Sequence, residues 1–151
     1  MAMTDVSRVM VDTNVLVYAA IEDAPLHREA VDAIRRSARE TTTCWLSRQI
    51  LREFVATLTR PQSFSPPIAR AAVLEQAREW ESRFSIAEDG PQVTKILFNL
   101  LERIPAGGKQ IHDANIVATM LAHGIPALLT ANVADFDRFR EVITVLPVPA
   151  K

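Results

Sequence analysis

Five short, dominantly apolar runs punctuate this chain: VMV (9–11), CWL (44–46), SIA (85–87), ALLT (127–130) and ITVL (143–146). A strand with one wet face alternates apolar and polar residues. Runs that are apolar on both faces belong to strands covered on both sides, as in parallel sheets. The segments between them carry a helical period instead. Ile50, Leu51, Phe54, Val55 and Leu58 form one stripe, and Val93, Ile96, Leu97, Leu100 and Leu101 a second. Ile111, Ala114, Val117, Ala118 and Leu121 form a third. This alternation predicts an α/β fold, a mainly parallel five-stranded sheet flanked by helices and joined by right-handed crossovers. With 151 residues, 48% of them hydrophobic, the chain can fill one core. It shows no repeat and no dividing linker, so a single domain is expected over 1–151.

Helix boundaries are partly marked. Ser47 precedes RQILREF, and Ser65 precedes Pro66, a favoured first-turn residue, which predicts a helix start there. The loop IPAGGKQ (104–110) separates two helices. Ala69, Val73, Ala77 and Trp80 share a stripe read as core, with a groove for a partner as the alternative.

Several function classes are excluded or disfavoured. No run approaches the roughly 18 apolar residues of a membrane span, and MAMTDVSR lacks a secretory core. The lone Cys44, inside a strand-like run, reads as a small buried residue. Together these features predict a soluble, cytoplasmic protein. With 17 basic and 18 acidic side chains, the chain lacks the surplus of a passive nucleic-acid binder. His27, His112 and His123 show no zinc spacing, and no glycine-rich phosphate loop is present.

The acids are more informative. In VMVDTNVLVYAA (9–20) an apolar run stops for Asp12, Thr13 and Asn14 and then resumes. One such residue would cap a helix; three suggest polar groups presented at a strand's carboxyl end, where open α/β sheets bind ligands. Glu53 flanks the apolar stripe of the helix after CWL, about 60° outside it on a helical wheel. Asp113 begins the crossover helix into ALLT, and Asp135 follows ALLT directly. The predicted topology brings all four to one rim.

Each acid has a plainer reading. Asp12 would be a strand-end cap, Glu53 an exposed acid paired with Arg52 or Arg60, Asp113 a favourable charge at a helix N-terminus, and Asp135 a cap of DFDRF. Asp137 is an alternative or additional ligand to Asp135, and His112 reads as an exposed neighbour of Asp113. Clustered carboxylates raise one another's pKa unless a cation neutralises them. Oxygen donors without His or Cys favour Mg²⁺ or Mn²⁺, whose chemistry is phosphodiester hydrolysis. Arg35, Arg36, Arg39, Lys109, Arg138 and Arg140 are candidate phosphate contacts, Lys109 the best placed because its loop leads to Asp113.

VDTNVLVYAA, SRQILREF and HDANIVATMLAHGIPALLTANVADF, in that order, resemble the PIN-domain ribonucleases, in particular the VapC-like toxins of type II toxin–antitoxin systems. The resemblance implies a sheet ordered 3-2-1-4-5 and endonucleolytic cleavage of RNA with Mg²⁺ or Mn²⁺. It also implies a homodimer and inhibition by a small antitoxin protein. On it, Asp12, Glu53, Asp113 and Asp135 would bind metal, Asn14 and Thr130 would orient the acids or the attacking water, and Asn132 falls in the same TxN pattern. The competing reading is a PIN-fold module that binds RNA or protein without cleaving it. A receiver or phosphohydrolase domain fits poorly, since no DxD pair follows the first strand.

Overall fold

The computed structural model describes residues 7–39 and 42–149. The chain runs β1 (Arg8–Val11), α1 (Thr13–Ala20), α2 (His27–Arg39), β2 (Thr43–Ser47), α3 (Arg48–Leu58) and α4 (Arg70–Arg83). It continues with β3 (Ser85–Ala87), α5 (Pro91–Arg103), α6 (Gln110–His123), β4 (Ala127–Thr130), a 3-10 helix (Val133–Phe139) and β5 (Thr144–Pro147). All strands are parallel, ordered β3-β2-β1-β4-β5. The five apolar runs are therefore the five strands, the last displaced by one residue.

β1 lies at the centre, with Met10 opposite Trp45 on one side and Leu128 on the other. Val9, Met10, Val11, Ala127, Leu128 and Leu129 are all buried, as double coverage requires. α6 is the most enclosed helix: beyond the expected stripe, Ile116, Thr119 and Met120 are also buried. Its end is fixed by Gly124, at φ 66°, with Ile125 N–H reaching back to Met120 O at 2.9 Å. Arg8 Nη1 donates to His123 O at 3.0 Å and ties the start of β1 to this terminus.

The helix start expected at Ser65–Pro66 does not occur. α4 begins at Arg70, without a side-chain cap. Two consecutive prolines explain this: each one disfavours helical geometry in the residue before it, so Ser65 and Pro66 stay out of a helix. A short antiparallel bridge pairs Gln62 with Ser65 instead. Val73 and Trp80 are buried and Ala77 is half-buried, whereas Ala69 is exposed. Trp80 packs edge-on between Phe54 and Phe84, with ring centroids 6.2 and 5.7 Å apart, so it is core and not a groove residue. Among the described residues no helix is long and apolar enough to cross a membrane.

Candidate active site

The chain crosses the sheet in opposite directions from β1, to β2 and β3 on one side and to β4 and β5 on the other. The carboxyl ends of β1 and β4 therefore form the switch point at which open α/β sheets place their ligands. Asp12 follows β1 there. Its backbone N–H continues the ladder to Leu129 O at 2.9 Å. Its Oδ1 accepts from Thr13 N at 2.8 Å, capping α1, and its Oδ2 accepts from Thr130 Oγ1 at 2.8 Å. Asp12 thus caps α1 with one oxygen while the other is held by Thr130. The carboxyl is buried, and burial is the main cause that raises its pKa from 3.8 to about 6; the bonds from Thr130 and Thr13 oppose the rise, and the charges of Glu53 and Asp135 add to it.

Thr130 is fully buried at the end of β4 and accepts from Asn132 N at 3.0 Å. Asn132 Nδ2 donates to Asp135 Oδ2 at 2.6 Å, so the TxN segment links Asp12 to Asp135 through Thr130. Asn14 lies 3.4 Å from both Asp12 Oδ2 and Thr130 Oγ1, and its Oδ1 accepts from Ala131 N at 3.1 Å. It ties α1 to the turn after β4.

Glu53 reaches the same place from α3, which starts directly from β2 because Ser47 Oγ caps Ile50 N at 3.1 Å. Its Oε1 accepts from Thr13 Oγ1 and its Oε2 from Gln49 Nε2, both at 2.9 Å. No arginine pairs with it among the described residues. Asp113, in the first turn of α6, accepts no hydrogen bond among the described residues. Burial, then the charges of Asp12, Asp135 and Glu53, push its pKa to about 7, with Arg138 opposing.

Asp12, Glu53, Asp113 and Asp135 line one cleft of about 340 Å³ with Thr13, Asn14, Val17, Tyr18, Thr57, Gln62 and Phe64. Among the described residues no three acidic, His or Cys side chains stand close enough to ligate one ion directly. The donors are carboxyl, hydroxyl and amide oxygens, and Asp113 accepts no hydrogen bond among the described residues. Such a set suits a cation that takes one or two carboxylates and keeps several waters, as Mg²⁺ does; it does not suit a closed cage.

Other candidates fall outside. Asp137 pairs with Arg140 at 2.8 Å and does not line the cleft. His112 is exposed; its N–H donates to Lys109 O at 3.1 Å and its carbonyl accepts from Gln49 Nε2 at 2.8 Å. Lys109 is exposed and absent from the lining, as are Arg35, Arg36 and Arg140. The side chain of Arg39 lies outside the described residues. Arg138 is the cation that acts on Asp113, held by Pro105 O at 2.9 Å and Gln110 Oε1 at 3.0 Å.

Gln49 is the supporting residue the sequence reading missed. It is buried one turn before Glu53, and its Oε1 accepts from Asn115 Nδ2 at 2.9 Å, which also donates to Asp89 at 3.1 Å. The signal was a glutamine four residues from an acid on a helix, on the side facing Asp113 and Asn115. Gln49→Ala leaves one Glu53 oxygen without a donor and removes the amide ties to the His112 carbonyl and Asn115, so a loss of about 1–3 kcal/mol is expected. Urea denaturation checks it; an unchanged midpoint would show that water replaces the amide at no cost.

No curated protein matches the chain in sequence. Among solved structures, the chain is similar to VapBC2 from Rickettsia felis bound to a promoter DNA fragment, at 16% identity and a TM-score of 0.65, covering 93% of this chain and 98% of that one. VapC20 of Mycobacterium tuberculosis, described as a sarcin-ricin-loop-cleaving toxin, matches at 17% identity and a TM-score of 0.64, over 90% and 96% of the two chains. A toxin–antitoxin complex from Klebsiella pneumoniae matches at 20% identity and 0.64, again over 90% and 96%. The PIN domain family matches residues 9–142, a span that starts in β1 and takes in all four cleft carboxylates. With the sheet order and the switch-point cleft already in place, that match shows that the chain belongs to the PIN-domain family.

Proposed function

We propose that this chain is a divalent-metal-dependent endoribonuclease, acting in the cytoplasm as the toxin of a toxin–antitoxin pair. One observation carries the reading: four elements deliver Asp12, Glu53, Asp113 and Asp135 to a single cleft whose lining holds no lysine or arginine. Such a group of acids is costly to keep ionised without a cation. The solved toxin–antitoxin complexes of the same fold support an antitoxin partner and, with the VapC20 description, an RNA substrate. A homodimer is part of the same proposal.

In this reading Asp12, Glu53, Asp113 and Asp135 hold Mg²⁺ or Mn²⁺, directly or through water. When bound, the ion supplies Lewis-acid polarisation of the phosphodiester and activation of the attacking water. The protein's part is positioning. Thr130 and the Thr13 amide fix the Asp12 carboxylate, Thr13 and Gln49 fix Glu53, and Asn132 fixes Asp135. Asn14 and Thr130 keep the β1 and β4 ends together, so that the two halves of the site move as one. Asp113, which accepts no hydrogen bond among the described residues, is the acid most available to the ion.

The test is incubation of total bacterial RNA with the purified protein in Mg²⁺, Mn²⁺ or EDTA. Discrete fragments in either metal and none in EDTA are expected. RNA binding without cleavage in both metals would reject the nuclease and favour a PIN-fold binding module.

A further inference from the structure

The cleft has two unlike ends. Beyond the carboxylates its wall is made by Val17 and Tyr18 of α1, Thr57 of α3, and Gln62 and Phe64 of the loop that follows α3. Tyr18 and Phe64 are both half-buried and meet edge to face, with centroids 6.1 Å apart at 72°. The loop is held in place to present Phe64: Gln62 Nε2 donates to Thr57 O at 2.7 Å and to Arg60 O at 3.2 Å, and Gln62 bridges Ser65.

A nucleic-acid strand entering this cleft meets four carboxylates and no cation from the lining. The lining side chains therefore offer its phosphates no positive charge, and affinity beyond what a bound cation supplies falls to an uncharged part of the nucleotide. Aromatic side chains provide it, because every base has a π face and stacks when it is unpaired. The position is suitable: Tyr18 lies six residues along α1 from its cap Asp12, a rise of about 9 Å, comparable to the span from a phosphate to a neighbouring base. Gln62 commits its amide nitrogen to the loop, which leaves its side-chain Oε1, unpartnered among the described residues, as an acceptor for a base edge.

We infer that the Tyr18–Phe64 wall is a stacking subsite for one unpaired nucleobase beside the scissile phosphodiester. The inference rests on the ribonuclease reading and narrows it to substrates that offer an unpaired base at the cut. Phe64→Leu keeps the apolar volume and removes the π face. On a pool of randomised single-stranded RNA in Mn²⁺ it should raise KM roughly five- to a hundredfold, with kcat nearly unchanged, and Phe64→Tyr should restore KM. In EDTA, 2-aminopurine within such RNA should lose fluorescence on binding the wild type and not on binding Phe64→Leu. Tyr18→Leu serves if Phe64→Leu melts early. A wild type that cleaves, with KM and quenching unaltered in both leucine variants, overturns the subsite and leaves the nuclease standing. A wild type that neither binds nor cleaves RNA overturns both.

Discussion

Asp12→Asn is expected to lower metal-dependent RNA cleavage by about a thousandfold or more, while the metal-free variant melts no lower than the parent at pH 8. On the proposed reading the loss follows from taking one carboxylate away from an ion that supplies several kcal/mol of charge stabilisation, at tenfold per about 1.4 kcal/mol. The retained fold follows from shape and hydrogen bonding. An asparagine fills the same buried volume, its oxygen can still accept from Thr13 N, and its amide can donate to Thr130 Oγ1 once that hydroxyl rotates. The variant also no longer has to bury a charge. Cleavage of total RNA and a thermal melt on one preparation decide the matter, and parent-like cleavage by the folded variant would remove Asp12 from the metal site.

The second large effect is on stability against pH. In the metal-free protein Asp12 titrates at about 6 and Asp113 at about 7, both above the ordinary 3.8. The folded chain therefore binds more protons than the unfolded chain between about pH 4 and 7, and stability must fall as pH rises through that window. Below it both carboxyls are protonated in either state and the penalty is gone; above it the penalty is complete. For buried Asp12 the difference amounts to about 3 kcal/mol. The share of Asp113 is cut by its solvent exposure, and because each acid raises the other the two do not add. At roughly 2–4 °C per kcal/mol for a chain this long, the melting temperature in EDTA should drop by about 5–10 °C from pH 5 to pH 8. Mg²⁺ should recover much of it at pH 8 and little at pH 5, since the ion binds deprotonated carboxylates. A flat or rising melting temperature in EDTA would contradict the electrostatics of the cleft.

The sheet was legible because its signal is local. Each apolar run is short and enclosed, and the burial of Met10, Leu46 and Leu128 is what such runs require. The gathering of Asp12, Glu53, Asp113 and Asp135 followed from topology, since all four sit where a parallel sheet turns its carboxyl edge. At Ser65–Pro66 the second proline overrides the capping serine, because it disfavours helical geometry at Pro66. Asp135 and Asp137 could not be separated by spacing alone. A tight helical turn puts them on different sides, and only Asp137 has Arg140 within 2.8 Å. Tyr18 and Phe64 were invisible for a different reason: their contact joins residues distant in sequence, and an aromatic beside apolar neighbours does not announce it. Gln49 carried only the faint signal of its spacing from Glu53, and its bonds to His112 and Asn115 carried none.

The bond from Thr130 Oγ1 to Asp12 joins residues 118 positions apart. Parallel pairing of the first strand with the fourth closes a loop of nearly the whole chain, the kind of long-range contact that forms late because its entropy is lost before its contacts are gained. The carboxylate cleft is consequently not a local motif that a partly made chain can display. Asp12 and Glu53 are joined through Thr13, but Thr130 reaches Asp12 only once β4 lies beside β1, so the cleft is complete only then. On the proposed nuclease reading, a chain whose fourth strand is not yet in place holds no finished site, and activity waits on the completed sheet.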